Sequence, residues 1–416
     1  MKSSEIRPEI MDLARRAEAL AAPQFAALQE ICEQNTIRVM DAFQEFRVSE
    51  ACFAGTTGYG YDDLGRETLE KIYARVFGTE AALVRPHFVN GTHAITAALF
   101  ALCCPGEKIL AATGKPYDTL HQAIGITGEE FGSLRFYGIG YEQVDLREDG
   151  SPDLPGSLTA LEDPAVKAVT LQRSIGYSTR KALSVQQIGE ICKTVKEKRQ
   201  DVSIFVDNCY GEFTDVLEPT HVGADLMAGS LIKNPGGGLA PTGGYIAGRA
   251  DLIEKAACRL TLPGIGGECG STLGTSRLLF QGFFMAPHIV MQAVKTAVFA
   301  AAMMHLCGYE SFPRYDEKRS DIIQRISLGS PEKMEAFCRG IQSGAPVDSF
   351  VAPVPAPMPG YDCDVIMAAG AFIQGSSIEL SCDGPMRDPY CVYLQGGLTY
   401  ESGKLGVMMA VNQIFQ

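Results

Sequence analysis

The stretch Gly229-Ser-Leu-Ile-Lys233-Asn-Pro-Gly-Gly-Gly238 places one lysine between a short apolar run and a glycine-rich turn. Twenty-six residues before this lysine, the run Ser203-Ile-Phe-Val-Asp207 ends on an aspartate. Short apolar runs of this kind are typical of buried strands, so both polar residues are expected at or just beyond strand ends. A lone loop lysine is most often a solvated surface residue. The pairing with Asp207 is what favours a chemical role for Lys233.

A lysine and a buried aspartate are the two groups that pyridoxal phosphate requires of its protein. The lysine amine forms a Schiff base with the cofactor, and the carboxylate pairs with the pyridine nitrogen. Beside a pyridinium, Asp207 stays ionised and keeps the ring nitrogen protonated, so the ring can withdraw electrons. The alternative for Asp207 is a simple turn cap. We predict pyridoxal 5'-phosphate as the cofactor, with Lys233 and Asp207 as catalytic and cofactor-binding residues.

Around this stretch, from about residue 51 to residue 285, short apolar runs alternate with helical patterns. Strands separated by helices indicate βαβ units, and hence an α/β fold with a mostly parallel sheet. Ligands of such sheets bind at the carboxyl ends of the strands, which is where Asp207 falls. The predicted strands are Ala81–Arg85, Lys108–Ala112, Ala168–Gln172, Ser203–Asp207 and Gly244–Gly248.

The chain is expected to fold as three parts. Residues 1–50 show helical periodicity and predict an N-terminal helical arm of two helices, the second from about Phe25 to Phe46. Residues 51–285 form the large cofactor-binding domain. Residues 286–416 form a smaller C-terminal α+β domain. That domain begins with a helix near 287–307 and includes strands at Asp364–Ala368 and Ser377–Ser381.

A phosphate site is predicted where Asn90-Gly91-Thr92-His93 precedes the helix-forming run that begins at Ala94. Backbone N–H groups, a hydroxyl and the positive end of the helix dipole converge there. The alternative is that Thr92 merely caps its helix. Ser230, three residues before Lys233, is predicted as a second phosphate ligand, with a turn contact as its alternative.

Three tyrosines are candidates for the site. Tyr117 sits in a strand-to-helix loop, where it can stack on the pyridine ring or remain a half-buried loop residue. Tyr59 and Tyr61 belong to the segment Ala54–Arg66, which is rich in glycine and tyrosine. This segment is expected either to reach a neighbouring subunit's site or to serve as an ordinary interface. At a site, Tyr59 or Tyr61 would contact phosphate or transfer a proton.

Two arginines compete for the carboxylate of a substrate. Arg387 lies in the predicted small domain, and Arg173 follows the strand that ends at Gln172. An arginine forms a bidentate pair with a carboxylate. The sequence does not decide which of these two arginines binds the carboxylate.

Composition narrows the possible partners. Hydrophobic residues make up 46% of the 416-residue chain, as in ordinary globular proteins. The formal net charge of −13 argues against nucleic acid and anionic membranes as partners, because both would be repelled.

The thirteen cysteines are scattered without metal-ligand spacing, which predicts reduced thiols, a cytoplasmic location and no metal site. The segment Gly264–Gly270 carries Cys269 in place of a third glycine, so we predict a flexible active-site loop there rather than a dinucleotide site.

Taken together, these motifs resemble those of the methionine γ-lyase-like family of aluminium resistance proteins. That family is a relative of the cystathionine lyases among fold-type-I pyridoxal phosphate enzymes. The resemblance implies the fold-type-I transferase fold, with Lys233 as the Schiff-base lysine and Asp207 at the ring nitrogen. It also implies a homotetramer built from dimers, with active sites at the dimer interface. The Tyr-x-Arg usual in cystathionine-lyase relatives is incomplete here, because no arginine follows Tyr59 at that spacing. The motifs are Gly58–Asp63, Asn90–Ala94, Val206–Phe213, Ser230–Gly238 and Gly264–Glu268.

The predicted function is carbon–sulfur lyase action on a sulfur-containing amino acid, by β- or γ-elimination. Lys233 would remove the α-proton, and Tyr59 would assist the leaving group. Two alternatives stay open. One is another reaction of the same cofactor, such as transamination or aldol cleavage, and the other is a non-catalytic regulatory protein that binds the cofactor.

Overall fold

The computed structural model describes residues 5–128, 131–176, 178, 180–358 and 361–415. The chain divides into two compact units. The large unit is Thr36–Phe284, and the small unit combines Met1–Asn35 with Met285–Gln416. The predicted start of the C-terminal domain at residue 286 falls beside this boundary. The first 35 residues group with the C-terminal part of the chain, whereas the sequence analysis treated residues 1–50 as a separate arm.

The N-terminal segment is one helix, α1 (Pro8–Glu45), so the prediction of two helices was wrong. Pro23 lies inside it. A proline removes one helical hydrogen bond and disfavours the turn before it. Here it is flanked by alanine-rich sequence, Ala21-Ala-Pro-Gln-Phe-Ala-Ala27, whose residues favour the helix on both sides.

A seven-stranded sheet forms the centre of the large unit, in the order β1-β7-β6-β5-β4-β2-β3. Strand β7 runs antiparallel to both of its neighbours, and the pairs β2–β3, β2–β4, β4–β5 and β5–β6 are parallel. The mostly parallel sheet is therefore confirmed. The strands are β1 (Ala81–Arg85), β2 (Lys108–Ala111), β3 (Gly140–Gln143), β4 (Val166–Gln172), β5 (Ser203–Asp207), β6 (Leu226–Ser230) and β7 (Gly244–Gly248).

Helices connect these strands and bury their apolar faces on the sheet. Helix α3 is apolar along most of its length and packs against β6 and β7. The helices are α2 (Leu64–Val76), α3 (Gly91–Leu102), α4 (Thr119–Ile124), α5 (Leu154–Ala160), α6 (Val185–Lys198) and α7 (Ala250–Leu260). Short 3₁₀ helices cover Glu50–Phe53, Pro219–Val222 and Asn234–Gly236.

The small unit contains a five-stranded antiparallel sheet in the order β10-β11-β12-β9-β8, as expected for an α+β domain. The strand predicted at Ser377–Ser381 was wrong, because β11 begins only at Ser381. Glu379 instead accepts backbone hydrogen bonds from Phe372 and Ile373, which holds that segment as a buried loop. The elements are β8 (Ser311–Phe312), β9 (Gln324–Ser327), β10 (Val365–Ala369), β11 (Ser381–Pro385), β12 (Cys391–Gln395), α9 (Pro331–Gly344) and α10 (Tyr400–Ile414).

The helix α8 (Ser276–Leu306) is long and apolar enough to cross a membrane by length and composition. However, 78% of its most apolar window is buried inside the protein. Burial of this extent is what a core helix shows, because a lipid-facing helix would expose its apolar side chains.

Candidate active site

The predicted site residues meet at the carboxyl edge of the large sheet. Strands β5 and β6 are parallel neighbours, and Asp207, the last residue of β5, pairs with Ala228. Strand β6 ends at Ser230, so the chain reaches Lys233 three residues beyond the same edge. Parallel pairing therefore brings the aspartate and the lysine together, although they are distant in sequence.

Asp207 is buried, with 6% of its surface exposed. Its carboxylate accepts a hydrogen bond from the backbone N–H of Cys209 at 3.1 Å. Burial raises the pKa of Asp207, and the positive charge of Lys233 is the largest influence that opposes this rise. The charge on this carboxylate thus depends on a nearby cation, as is expected of a group that pairs with a protonated ring nitrogen.

Lys233 directs its amine at an aromatic face, with Nζ 3.8 Å from the centroid of the Tyr210 ring. Burial alone lowers the pKa of Lys233, but Cys209 and Tyr210 outweigh burial, and the pKa is raised. The amine of the cofactor-free chain is accordingly protonated at neutral pH. It must lose that proton before it can attack a carbonyl group.

A cradle for a phosphate group lies between α3 and the end of β6. Asn90 caps α3 by accepting the backbone N–H of His93 at 2.9 Å. A Cβ on Gly91 would lie 2.9 Å from the Cβ of Ser230, so only glycine permits this close approach. The Ser230 hydroxyl is buried and has no hydrogen-bond partner among the residues that the structure describes. A buried, unsatisfied hydroxyl beside a helix N-terminus is suited to an anion.

Tyr117 joins this cradle through its hydroxyl, which lies 3.0 Å from the Thr92 hydroxyl. Burial raises the pKa of Tyr117, and the charge on Asp207 raises it further, so the phenol stays neutral. Thr92 itself bonds to a neighbouring side chain and is not the cap of its helix, since Asn90 fills that position. Stacking of Tyr117 on a cofactor ring stays a prediction.

This arrangement fits pyridoxal phosphate. Gly91, Thr92 and Ser230 would hold the phosphate, Asp207 would face the ring nitrogen, and the Lys233 amine would take the aldehyde. The observation that supports the fit is the Ser230 hydroxyl, because the surrounding chain leaves that donor unused at the place where phosphate oxygens would lie.

No contact that the structure describes places Tyr59 or Tyr61 beside Asp207, Lys233 or the phosphate cradle. Their rings stack on each other at 5.8 Å, with 74% and 56% of their surfaces exposed. A hydrogen bond with Cys269 raises the pKa of Tyr61, and the backbone N–H of Gly270 donates to the Tyr59 carbonyl at 2.8 Å. The tyrosine segment is thus joined to the loop Gly264–Gly270. Roles for the two tyrosines stay predictions.

The two candidate arginines lie in different surroundings. Arg173 is fully buried, and its guanidinium donates to Asn208 at 2.8 Å and to Glu218 at 3.1 Å. These contacts give it a structural task within the large unit. Arg387, in the small unit, is half exposed and donates to Asp362 at 3.1 Å on the surface. Its role as the carboxylate-binding residue stays a prediction.

Sequence reasoning missed two residues that stand two and three positions after Asp207. Tyr210 has a φ of 72°, in the left-handed region that tyrosine rarely adopts, and its ring lies under the Lys233 amine. The Cys209 thiol is buried, and burial raises its pKa well above the ordinary value. The sequence signal that could have identified Cys209 and Tyr210 is their position in the loop after β5, a strand that ends on the candidate catalytic residue Asp207.

Removal of the Ser230 hydroxyl tests the cradle. We expect Ser230→Ala to weaken pyridoxal phosphate binding roughly tenfold, the value of one hydrogen bond to a charged group. Folding stability should not fall, because that hydroxyl is buried and bonds to no described protein group. Equilibrium titration and thermal unfolding measure the two effects.

Ser157→Ala is the matched control for this variant. The buried Ser157 hydroxyl donates to the Asp153 carbonyl at 2.9 Å, so its loss should lower stability and leave cofactor affinity unchanged. Equal affinity in wild type and Ser230→Ala would remove Ser230 from the phosphate site.

A mostly parallel sheet with one antiparallel strand, and a lysine and an aspartate at its carboxyl edge, is the architecture of the fold-type-I pyridoxal phosphate enzymes. The sequence model described as methionine gamma-lyase matches residues 10–415. The chain belongs to the methionine γ-lyase family.

Individual relatives agree with this assignment. A solved structure from Clostridium novyi NT, named a carbon-sulfur lyase involved in aluminum resistance, has 55% sequence identity and a TM-score of 0.95. The match covers 98% of this chain and 96% of that chain. The uncharacterized protein YnbB of Bacillus subtilis is 51% identical over 97% of this chain and 96% of its own length. An L-methionine gamma-lyase of Pseudomonas putida is 27% identical over 71% of this chain and 70% of its own length.

Proposed function

We propose that this protein is a pyridoxal phosphate-dependent carbon–sulfur lyase that releases a thiol from a sulfur-containing amino acid by β- or γ-elimination. The observation that carries the proposal is the meeting of Lys233 and Asp207 beside the Gly91–Ser230 cradle. Family membership supports it, because the family is described as methionine gamma-lyase and a close structural relative is named a carbon-sulfur lyase.

When bound, the cofactor supplies an electron-withdrawing ring that accepts the electron pair left at the substrate Cα. The chain's own residues have separate tasks. The Asp207 carboxylate would stabilise positive charge on the ring nitrogen. The Lys233 amine would be the base that removes the α-proton. The Tyr117 phenol, kept neutral by burial, holds Thr92 in the cradle.

The leaving thiolate needs a proton, and we propose that Tyr59 supplies it. Tyr59 is exposed on its own chain, which suits a residue that works at the site of a neighbouring subunit. We also propose, as the family resemblance implies, a homotetramer whose dimers share active sites at their interfaces. The described cysteines form no disulfide in this structure, which suits the cytoplasmic location that we propose.

The experiment that tests the proposal is keto-acid release by the cofactor-loaded protein. Cysteine, cystathionine, methionine and homocysteine are offered separately, and each product is identified. In either elimination, water enters while a keto acid, ammonia and a thiol leave. From cystathionine, β-elimination gives pyruvate and homocysteine, whereas γ-elimination gives 2-oxobutyrate and cysteine.

We expect one of these keto acids from at least one of the four amino acids. No keto acid from any of them, with cofactor attached to Lys233, would contradict the lyase function. Product formation that requires an added keto acid would instead identify an aminotransferase, and a released aldehyde would identify an aldolase.

A further inference from the structure

A carboxyl group without an evident task lies five residues after Asp207. Glu212 is fully buried. The Tyr245 hydroxyl donates to its Oε1 at 2.9 Å, whereas Oε2 is buried and has no hydrogen-bond partner among the described residues. An ionised carboxylate with one unsatisfied buried oxygen is costly, so this geometry favours the neutral acid.

Glu212 contacts the lysine segment on both sides of Lys233. Its backbone carbonyl accepts a hydrogen bond from the Asn234 side chain at 3.0 Å, and Asn234 directly follows the lysine. Its carboxyl group packs over Gly229, where a Cβ would lie 2.5 Å from Oε1. Glu212 thus joins the loop after β5, which follows Asp207, to the segment that carries Lys233.

The surroundings of Glu212 reinforce the neutral state. Burial raises the pKa of Glu212 to about 8, and the nearby charge of Glu218 adds to this effect. Hydrogen bonds from its own backbone N–H and from Tyr245 act in the opposite direction, as does the charge of Arg173, whose guanidinium is bonded to Glu218 at 3.1 Å, but burial outweighs them. The titratable and charged groups around Glu212 are Tyr245, Glu218, Arg173, Tyr73 and Cys209.

We propose that Glu212 is a positioning residue for Lys233, which as an uncharged carboxylic acid holds the segment Gly229–Asn234 in place and on ionisation loosens it. This role rests on the proposed function, because Lys233 matters only as the lysine that takes the cofactor. Glu212 would thus affect the site on the alkaline side, whereas the protonation of Asp207 would affect it on the acidic side.

The direction in which folding stability changes with pH follows from the difference in proton binding by Glu212 between the folded and the unfolded chain. The folded protein holds the Glu212 proton more tightly than the unfolded chain, whose carboxyl titrates near 4.5. The stability that Glu212 contributes is therefore complete below pH 4.5 and falls as the pH rises to about 8. Glu212→Gln keeps an acceptor for Tyr245 and cannot ionise, so this loss should be absent from the variant.

The test compares wild type, Glu212→Gln, Glu212→Ala and Tyr245→Phe from about pH 5 to about pH 9. Thermal unfolding is measured without cofactor, and the rate of pyridoxal phosphate attachment to Lys233 is measured by borohydride trapping. Glu254→Gln, on the exposed face of α7, is the control and should match wild type.

We expect the unfolding midpoint of Glu212→Gln to rise relative to wild type as the pH increases, and the difference to level off above about pH 8. The attachment rates should agree near neutral pH, and wild type should fall several-fold behind Glu212→Gln at alkaline pH. Glu212→Ala keeps the backbone contact with Asn234 but loses the carboxyl group that packs over Gly229, so the lysine segment should shift and the cofactor should attach roughly ten- to a hundredfold more slowly. If Glu212→Ala does not fold, Tyr245→Phe provides the test instead. Loss of the hydrogen bond from Tyr245 to Glu212 should move the alkaline decline of the unfolding midpoint and of the attachment rate to higher pH.

Parallel pH profiles for wild type and Glu212→Gln, in both measurements, would overturn the role of Glu212. An unchanged attachment rate in Glu212→Ala would overturn it too, and would leave the proposed function standing. No attachment in wild type itself would overturn the proposed function together with the role of Glu212. The cofactor-free unfolding data would still report whether Glu212 is uncharged.

Discussion

Replacement of Lys233 by alanine should abolish turnover, with a loss of roughly four orders of magnitude or more, the scale seen when a covalent catalytic group is removed. Two tasks are lost together, because the amine both takes the cofactor and removes the α-proton. The cradle of Gly91, Thr92 and Ser230 remains, so noncovalent cofactor binding should persist with weaker affinity. Keto-acid release and equilibrium dialysis of pyridoxal phosphate measure the two quantities separately.

Lys193→Ala is the matched control for this loss. Lys193 lies on α6 in the same unit, and 78% of its side chain is exposed beside Glu197. Its removal should leave turnover, cofactor binding and stability at the wild-type values, since exposed ion pairs of this type contribute little. Turnover of any amino acid by Lys233→Ala at the wild-type rate would contradict the mechanism.

Replacement of Asp207 by asparagine should lower turnover roughly a hundred- to a thousandfold, the scale of one preorganised electrostatic contact to the reacting system. Asparagine has nearly the same shape but cannot hold a positive charge on the ring nitrogen, so the ring withdraws electrons less strongly. The cofactor should still attach to Lys233, which separates this defect from that of Lys233→Ala. The rate of keto-acid release at saturating substrate is the measurement.

The same variant makes a prediction for pH dependence. Burial raises the pKa of Asp207, so protonation removes its charge at a higher pH than for an exposed aspartate. The affinity of the chain for pyridoxal phosphate should accordingly fall on the acidic side as the pH drops through that raised pKa, and Asp207→Asn should lack this decline. Asp201→Asn, at an exposed position, is the control and should keep the wild-type profile. A wild-type rate in Asp207→Asn would remove Asp207 from the ring nitrogen.

The large sheet was predictable because most of its strands are apolar runs bounded by turn-forming residues. The strands Ala81–Arg85, Ser203–Asp207 and Gly244–Gly248 occur with the predicted bounds. Strands β3 and β6 were not among those predicted, since Gly140–Gln143 and Leu226–Ser230 contain polar residues or glycine that weaken a strand pattern. In β6, Gly229 is required by the Glu212 carboxyl that packs over it, a contact that only the fold reveals.

The candidate site was predictable where a motif marks a strand end or a helix start. Asp207, Lys233, Thr92 and Ser230 were predicted in this way. Tyr210 was not, because the position of its ring depends on a left-handed backbone conformation that sequence does not report. The charge states of Glu212 and Lys233 also depend on burial and on neighbours that are distant in sequence.

Arginine roles were the least accessible to sequence reasoning. Arg173 follows a strand end in the same way as a catalytic residue does, yet its guanidinium is held by Asn208, Glu218 and Thr214. An arginine that binds a substrate and one that holds two loops together have the same sequence signature, and only the contacts distinguish them.

The most direct test of the central claim is the identity of the lysine that carries the cofactor. Wild-type protein is loaded with pyridoxal phosphate, reduced with borohydride and digested, and the modified peptide is sequenced by mass spectrometry. The account predicts one modified site, Lys233, in the peptide that contains Gly229–Gly238. Modification of a different lysine, or of none at saturating cofactor, would contradict it.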